Sequence, residues 1–485
     1  MAPIITPLII HGRDVVLPGQ EAVFHTNPDI CGPGTVSLLV QGATKALCVE
    51  AIESCAKAFD SWRTTSLDQR KRLFLNLAGV LRENADKLRV IILEELQCSA
   101  MWAGINVDDT IALAEHVASL STSTVLSGTI PETKAPGSQG IVTPEPLGVI
   151  LGIAPWNAPA ILGLRAVAAA VMAGNTAILK GSELSPRTHF FIADAFRQAG
   201  FPPGVVNFLL HRQEDAADVF ESIISQPEVR KCNFTGSTAV GRHIAMRAAF
   251  YLKPVLLELG GKNHVIVLEG ADLEDATNKI LTGALLNSGQ ICMSTDLVLV
   301  SRSVKQQLCL LLREKLQDFS EKHVTKLISA AGDRKIQALV TDAAAKGAAI
   351  YTAESQPESL KANGLGKDRK QHATLIENVT PDMEFWTQEA FGPLLGVAAC
   401  DGLEDAIDLV NACPYGLSAA IFSEADLRTS KFARKLNVGA VHINGATVHD
   451  EATLPHGGYK NSGWGRFGGH WALLEFVQTQ TVIVN

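Results

Sequence analysis

The sequence predicts an α/β protein built from two doubly wound units, and three observations lead to this prediction. The chain has 485 residues, which is too long for one ordinary hydrophobic core and indicates two or three domains. The continuous apolar run over 149–154 is typical of a strand buried on both faces of a parallel sheet. Further runs of this kind alternate with helical patterns along most of the chain, as they do in doubly wound folds.

The first half of the chain begins with helices and continues as alternating strands and helices. Apolar residues recur at helical spacing over about 44–120, so this part is predicted to be largely helical. The short apolar run 7–10 predicts an edge strand followed by a turn. From Gly148 onward the predicted strands are 149–154, 176–179, 205–210, the residues before 234, and 255–259; the predicted helices are 158–173, 185–200, 216–224 and one after 237.

A second alternating unit follows at about 262–440. Its predicted strands are 264–268, 297–300, 394–399 and 419–422, and its predicted helices are 272–286 and 304–319. The charged segment 354–368 is predicted to be a surface loop, the glycine-rich tract 457–469 a loop that crosses a site, and 481–484 a terminal strand.

Composition and charge argue against several classes of protein. The formal net charge of -8 and the pI near 5.9 argue against a nucleic-acid partner, because such proteins concentrate Lys and Arg to neutralise phosphates. No apolar stretch long enough to span a bilayer escapes interruption, so no membrane partner is expected and the cytoplasm is the expected location. Nine cysteines with no CxxC pair and no zinc-site spacing predict neither a disulfide framework nor a metal site; they lie at 31, 48, 55, 98, 232, 292, 309, 400 and 413.

Two strand ends carry residues suited to a nucleotide. The stretch FTGSTAVG at 234–241 follows a predicted strand and opens a helix, where backbone N–H groups and a glycine suit a phosphate, although the common GxGxxG pattern is absent. Lys180 and Glu183 follow another strand, and such a pair is able to hold ribose hydroxyls. A purely structural turn and a surface ion pair are the alternatives at these two places.

Three polar side chains stand where catalysis is plausible. Cys292 lies among small and polar residues in NSGQICMSTD at 287–296, with a buried, inert thiol as the alternative. Glu258 ends an apolar strand beside two glycines; because a carboxylate is costly to bury unless it is paired or used, proton transfer competes there with a solvated loop position. Asn157 also ends a buried strand, where its amide is able to cap a helix or to donate to an oxyanion.

Six short motifs occur in order along essentially the whole chain: PWN at 155–157, KGSE at 180–183, FTGS at 234–237, ELGGKN at 258–263, GQIC at 289–292 and EAFGP at 389–393. In this order and approximate spacing they resemble the aldehyde dehydrogenase superfamily. The resemblance implies an α/β fold of the aldehyde dehydrogenase type, with a variant Rossmann cofactor domain, a second α/β catalytic domain and a small β oligomerisation element.

The resemblance also implies a role for each of the three polar side chains. Cys292 is the nucleophile, whose thiolate attacks an aldehyde carbon to give a thiohemiacetal, so a local field is expected to favour ionisation of the thiol. The Asn157 amide and the Cys292 backbone N–H stabilise the resulting oxyanion. After hydride transfer to a nicotinamide, Glu258 activates the water that hydrolyses the thioester and releases the acid.

For the cofactor, the resemblance implies NAD rather than NADP. Lys180 and Glu183 are assigned to the adenosine ribose, and a carboxylate at 183 would repel a 2′-phosphate. Gly236 and Ser237 are assigned to the pyrophosphate. The other residues implied in cofactor binding are Glu389 and Phe391 at the nicotinamide riboside, together with Ile153, Trp156, Ser182, Leu259 and Gly260.

The surroundings of two residues resemble the salicylaldehyde and vanillin dehydrogenase branch of the family. Trp102 is expected to stack on a substrate ring, with plain core packing as the alternative. Arg165 is expected to contact a phenolate or ring hydroxyl, with a structural ion pair or a snorkelling side chain as the alternatives. Ile291 and Met293, on either side of the cysteine, also fit that branch, so an aromatic aldehyde is the predicted small-molecule substrate.

The chain departs from the common family pattern at several positions, and three of them bear on proton transfer and the substrate mouth. Phe467 stands where many members carry a glutamate, so a proton relay through that second carboxylate is lost and more of the proton transfer is expected to fall on Glu258. His456 and Tyr459 replace commoner Phe and small aliphatic residues and are expected to reshape the substrate mouth.

Three other functions remain open. An aliphatic or semialdehyde dehydrogenase and a catalytically silent binding protein would share the fold. A Cys/His/Asp hydrolase is suggested by His449 beside Asp450, but only residue identity supports it.

The resemblance predicts domain boundaries and self-association. Segments 1–127 and 147–259 are assigned to the NAD-binding domain, 260–470 to the catalytic domain, and 128–146 and 471–485 to bridging strands. Because exposed strand edges of that kind pair between subunits, a homodimer or homotetramer is expected.

Overall fold

The computed structural model describes residues 5–26, 38–353, 372–424 and 427–485, and it confirms an α/β fold with two large sheets. The first sheet has eight strands and is parallel through its centre. The strands lie in the order Gly463–Trp464, Val255–Leu259, Val229–Gly236, Val149–Ile153, Thr176–Lys180, Val206–Leu209, Leu8–Ile10 and Arg13–Val15. Cys31 and the predicted surface loop 354–368 lie outside the described residues.

Helices pack on this sheet through a large apolar core. Four of them begin at a serine or threonine whose side chain accepts a hydrogen bond from the backbone N–H three residues later, which satisfies one of the free donors of the first turn. The helices of this part are Lys45–Trp62, Leu67–Glu83, Ala85–Leu96, Ala100–Ser119, Pro159–Arg165, Ala168–Met172, Pro186–Gln198, Ala216–Ile224 and Thr238–Phe250.

Two sequence-based predictions in this half are wrong in detail. The predicted edge strand at 7–10 is an inner strand, because Arg13–Val15 folds back and pairs with its outer side. The single helix predicted over 158–173 is two short helices, Pro159–Arg165 and Ala168–Met172. At the break, the carbonyl oxygen of Ala166 accepts from Asn233 Nδ2 at 2.9 Å instead of from a helical N–H.

The second sheet has seven strands and packs helices on both faces, with a separate apolar core on each face. Its order is Ala349–Thr352, Thr374–Glu377, Leu394–Cys400, Thr295–Ser301, Asn263–Val267, Ser418–Phe422 and Ala440–Ile443. The helices of this part are Leu273–Leu285, Arg302–His323, Ala330–Ala345, Glu384–Thr387, Leu403–Ala412 and Leu427–Ala433. The predicted alternating unit is therefore present.

Three small sheets complete the described fold. Gln139–Pro146 pairs antiparallel with Val477–Val484 along its whole length, at the place where bridging strands are predicted. A three-stranded sheet contains Ile5–Thr6, Leu39–Gln41 and Val23–His25, and a two-stranded sheet contains Tyr415–Gly416 and Tyr459–Lys460. The last helix is Gly469–Leu474. Among the described residues, no helix is both long enough and apolar enough to span a bilayer.

The first sheet explains how distant motifs come together. Leu259, Gly236, Ile153 and Lys180 are the last residues of four neighbouring strands that run in parallel. Because the carboxyl ends of such strands share one edge of the sheet, the residues after each strand line the same crevice. The short strand Gly463–Trp464 joins this sheet beside Val255–Leu259, although 260–470 is predicted as the second domain.

Candidate active site

A strained turn precedes the candidate nucleophile. Asn287, Ser288 and Gly289 are three consecutive residues with left-handed backbone, at φ of 50°, 56° and 71°. Such values are unfavourable for residues other than glycine and persist only where the surroundings enforce them. At Gly289 an added Cβ atom would lie 2.2 Å from the carbonyl oxygen of Gly392, so only glycine allows this packing.

Buried side chains from two other segments hold the backbone around Cys292. Asn263 Nδ2 donates to the carbonyl oxygens of Cys292 and Ser294, at 2.8 Å in each case. Thr447 Oγ1 donates to the carbonyl oxygen of Met293 at 2.8 Å. Because both donors are buried, these bonds fix the direction in which the thiol points.

Asn157 is tied directly to the same turn. Its Nδ2 donates to the carbonyl oxygen of Gln290 at 3.0 Å, and a side-chain amide carries two N–H groups, so this bond uses one of the two. The carbonyl oxygen of Asn157 accepts from Trp102 Nε1 at 2.9 Å. Trp102, Ile291 and Met293 are all buried in the core. The contact seen for Trp102 thus positions Asn157, and its stacking on a substrate stays a prediction.

Glu258 is a buried carboxylate with one strong partner. Its side chain is 1% exposed, and its Oε2 accepts from Arg165 Nη2 at 2.6 Å. Burial is the largest single influence and opposes ionisation, but the charge of Arg165, together with His456 and the Cys292 thiol, outweighs burial and lowers the pKa of Glu258 to about 2. The carboxyl group is therefore ionised at neutral pH. A structural ion pair was one of the alternatives for Arg165, and the structure contains it, with Glu258 as the partner.

The thiol of Cys292 lies beside that carboxylate. Its Sγ, a carboxylate oxygen of Glu258 and a ring nitrogen of His456 lie within 4.8 Å of one another. Burial, and then the negative charge of Glu258, raise the pKa of the thiol well above its usual range, and Arg165 opposes this only in part. The expectation that the local field favours a thiolate is therefore wrong for this arrangement, in which the thiol is protonated and an acceptor for its proton is adjacent.

Arg165, which contacts Glu258, also lines a cavity. Its Nη2 donates to Thr235 Oγ1 at 3.0 Å, its Nη1 lies 3.7 Å from Asp450 Oδ2, and its guanidinium carbon lies 4.4 Å from the ring centroid of Phe467. The cavity has a volume of about 290 Å³. Its walls combine apolar and charged side chains, among them Asp109, Leu113, Ile161, Arg165, Asp450, His456 and Phe467.

Replacing Arg165 by methionine is expected to destabilise the fold at neutral pH by about 3 kcal/mol, because removing one partner of a buried ion pair leaves the other charge buried alone. In the wild type the pKa of Glu258 is depressed, so its stabilising effect is present above pH 4–5 and is lost as the pH falls toward 2. In the variant the largest influence that lowers this pKa is lost, so burial raises the pKa of Glu258 above its wild-type value and acid relieves part of the penalty. The midpoint of thermal unfolding, measured at pH 7 and pH 5, should fall further below wild type at pH 7.

The matched control for this variant is the double change Arg165→Met with Glu258→Gln. Because it removes the buried charge together with its partner, it should recover much of the lost stability and show little difference between the two pH values. A single variant as stable as wild type at pH 7 would contradict the role given to the ion pair.

A second cavity, of about 380 Å³, lies at the strand ends of the first sheet. Lys180 lies at this cavity, and Ile153, Phe220 and Val240 are among its apolar walls. Burial lowers the pKa of Lys180, whereas the charge of Glu183 opposes that shift. Apolar walls with a cation and a carboxylate at the edge fit an adenosine, whose base is flat and whose ribose offers hydroxyls.

The residues assigned to the phosphates lie next to this cavity. Gly236 ends its strand, and Ser237 is the N-cap of helix Thr238–Phe250, accepting from the N–H of Val240 at 3.4 Å. A helix N-terminus after a glycine suits a phosphate. Ser182 Oγ lies 3.5 Å from a carboxylate oxygen of Glu183 on the neighbouring strand end.

The residues assigned to the nicotinamide riboside lie on the side toward the thiol. Glu389 accepts from the Gly261 N–H at 3.0 Å, and an added Cβ at Gly260 would lie 2.5 Å from its carboxylate oxygens. Burial and the charge of Asp296 raise the pKa of Glu389 to about 7. The rings of Trp156 and Phe391 meet edge to face at 5.9 Å. Leu259 is buried at the end of its strand, beside Gly260.

Several residues that complete the site were not predicted. Asn263 and Thr447 were not singled out, because their use depends on backbone contacts between segments far apart in the chain. His456 was noted only for the substrate mouth, although its departure from the usual Phe was a usable signal. His449, by contrast, pairs with Glu451 at 2.9 Å, so it faces a neighbouring loop residue instead of the thiol. Cys292, Glu258 and His456 carry metal-ligand atoms, and the prediction of no metal site stays a prediction.

The chain is similar to known proteins along most of its length. The model of the aldehyde dehydrogenase family matches residues 22–482. The chain is 35% identical to a salicylaldehyde dehydrogenase of Pseudomonas sp. (strain C18), covering 91% of each chain. It is 36% identical to a vanillin dehydrogenase of Pseudomonas fluorescens, covering 99% of this chain and 98% of that one. A salicylaldehyde dehydrogenase structure from Pseudomonas putida G7, complexed with salicylaldehyde, superposes with a TM-score of 0.91 at 33% identity, covering 99% and 98%.

Proposed function

The chain belongs to the aldehyde dehydrogenase family and is an aldehyde-oxidising enzyme, and on this premise we propose that it oxidises aromatic aldehydes to carboxylic acids with NAD. The observation that carries the proposal is the grouping of a thiol, a carboxylate and an amide donor. Two residues next to this group, Arg165 and His456, line a cavity of about 290 Å³. The apolar walls of that cavity, which include Leu113, Ile161 and Phe467, suit a planar ring.

The first chemical step uses the protonated thiol and the adjacent carboxylate. Glu258 accepts the proton of Cys292 as the sulfur forms a bond with the carbonyl carbon, which avoids a free thiolate in a site that disfavours one. The second N–H of the Asn157 amide and the backbone N–H of Cys292 then stabilise the oxyanion. In other enzymes, loss of one such donor raises the barrier by about 3–4 kcal/mol.

A bound nicotinamide dinucleotide supplies the acceptor for the hydride that leaves the substrate carbon. Lys180 and Glu183 would hold its adenosine ribose, Gly236 and Ser237 its pyrophosphate, and Glu389 its second ribose. Glu183 supports NAD over NADP, because a carboxylate at the ribose repels a 2′-phosphate. Glu258 then removes a proton from water, whose oxygen attacks the thioester carbon. The C–S bond breaks to release the acid, and the departing sulfur takes that proton back from Glu258, which restores both the thiol and the carboxylate.

The branch of relatives and the polar wall of the cavity support a ring hydroxyl on the substrate. Arg165, His456 and Asp450 lie on one wall, so a hydroxyl next to the aldehyde group would meet hydrogen-bonding groups there. The salicylaldehyde and vanillin dehydrogenases to which the chain is similar are named for hydroxylated benzaldehydes.

We expect benzaldehyde, salicylaldehyde and vanillin to be oxidised with kcat/KM at least about tenfold above that of propanal or succinic semialdehyde, because only the rings fill the apolar walls. We also expect NAD to be used at least about tenfold better than NADP. An NADH-absorbance screen of all five aldehydes with both cofactors tests this. Faster turnover of the aliphatic aldehydes would overturn the aromatic assignment and favour the semialdehyde alternative.

Self-association of the chain is also proposed. The paired strands Gln139–Pro146 and Val477–Val484 form a two-stranded sheet, and the second strand exposes the apolar residues Val482, Ile483 and Val484. Unpaired edges and exposed apolar side chains favour pairing with another copy, which supports a homodimer or homotetramer. The predicted domain boundaries and the cytoplasmic location stay predictions.

A further inference from the structure

His456 lies between two carboxylates at the active site. Its Nε2 is 3.8 Å from Oε1 of Glu258, and its Nδ1 is 3.7 Å from Oδ1 of Asp450. The ring is 8% exposed. Its backbone is fixed by two hydrogen bonds of 2.8 Å with Phe467, one in each direction. The imidazole therefore lies between Glu258 on one side and Asp450, at the cavity lined by Arg165, on the other.

The two atoms that face each other where the ring meets Glu258 have unused hydrogen-bonding capacity. Glu258 Oε1 and His456 Nε2 are both buried, and neither has a hydrogen-bond partner among the described residues. Buried polar atoms are normally paired, because an unpaired one retains a desolvation penalty. Since Arg165 holds the other oxygen of Glu258, Oε1 is directed at the ring, and a movement of about 1 Å would close a hydrogen bond of normal length.

The reaction proposed above requires such an acceptor. One proton leaves Cys292 when the C–S bond forms, and a second leaves water when the C–O bond forms. A single carboxylate binds one of them at a time, so Glu258 has to release the first proton before it accepts the second. Glu258 is 1% exposed and has little direct contact with solvent.

We propose, on the basis of the proposed function, that His456 accepts at Nε2 the proton that Glu258 takes from Cys292. The O–H bond of Glu258 breaks as the N–H bond forms, which restores the carboxylate before water attacks. Asp450 faces Nδ1, so it orients the ring and stabilises the imidazolium. After the acid departs, the imidazolium releases the same Nε2 proton to solvent entering the cavity, which restores the starting tautomer.

The surrounding charges support a ring that gains and loses a proton. Burial opposes the charged ring, but Asp450 and Glu258 outweigh burial and raise the pKa of His456 above its usual range. When the ring is protonated, the anions Glu258 and Asp450 are balanced by the cations Arg165 and His456. The charged and titratable groups around the ring are Glu258, Asp450, Arg165 and Cys292, with Asp109 close to Asp450.

His456→Gln is expected to lower kcat for benzaldehyde about 100-fold, with KM changed less than about threefold, because proton transfer is impaired and the apolar walls remain. In the wild type, kcat should fall at acid pH as the ring becomes protonated and stops accepting protons. That acid limb should be absent in His456→Gln. In His456→Ala, added imidazole should restore part of kcat. The matched control, His449→Gln, alters a histidine that pairs with Glu451 and should behave as wild type.

Asp450→Asn provides a second measurement should the histidine variants fail to fold. Loss of its negative charge lowers the pKa of His456, so the acid limb of kcat should move to lower pH. The proposal is overturned by an unmoved limb, or by His456→Gln with wild-type kcat and pH profile. A wild-type protein that oxidises none of the aldehydes would instead overturn the proposed function.

Discussion

Replacing Cys292 by alanine is expected to abolish aldehyde oxidation, by a factor on the order of 10⁴ or more, while the protein still binds NAD. The thiol is the proposed point of covalent attachment, and removing a nucleophile typically leaves only the rate due to binding and oxyanion stabilisation. The cavity at Lys180 that is proposed to hold the adenosine is lined by other residues, so the affinity for NAD should be unaffected. Initial rates of NADH formation and calorimetric titration with NAD measure the two effects separately.

Cys309→Ala is the matched control for this variant. Cys309 is a buried thiol in helix Arg302–His323, within the core of the second sheet, and burial raises its pKa to about 11. Its loss should slightly weaken packing and leave turnover intact. Substantial residual oxidation by Cys292→Ala would show that another group attacks the aldehyde. Loss of NAD binding would show that the change disturbs the whole site.

The sequence predicts the main features of the fold because they depend on local patterns. Apolar runs at 149–154 and 255–259 indicate strands, and both strands are present as Val149–Ile153 and Val255–Leu259. The residues after such strands share one edge of a parallel sheet, so the topology brings Asn157 and Glu258 toward the same site. The break at Ala166 is not predictable in this way, because it depends on Asn233, a residue far along the chain.

The electrostatics of the site could not be predicted from the sequence, because they depend on distances between segments. Arg165 and Glu258 are far apart in sequence, yet their ion pair is the largest influence that keeps the proposed base ionised. The thiol of Cys292 was expected to ionise readily, but burial and Glu258 act against it. Phe467 stands where the family resemblance leads one to expect a second glutamate. The structure places His456, and no second glutamate from that position, beside Glu258.

This arrangement makes different demands on the proton carriers in the two halves of the reaction. The first half needs a proton acceptor near Cys292, and His456 is within 4.8 Å of the sulfur as well as near Glu258. The second half needs a base that holds a water in place, and only a fixed carboxylate next to the thioester does this. The two halves should therefore respond differently when Glu258 loses its charge.

Glu258→Gln is expected to form NADH in a rapid burst and then to stall, with steady-state kcat lowered about 10³-fold. Without the carboxylate, His456, whose ring nitrogen lies within 4.8 Å of the sulfur, takes the first proton directly from Cys292, while no base activates water. Stopped-flow absorbance should show a burst close to one NADH per active site, and acid quenching should trap the substrate acyl group on Cys292. The matched control is Glu377→Gln, which removes a buried carboxylate paired with Arg313 in the second sheet, away from the thiol. That control should turn over normally. Steady wild-type turnover by Glu258→Gln would exclude Glu258 as the hydrolytic base, and absence of a burst would mean that it is the sole acceptor of the first proton.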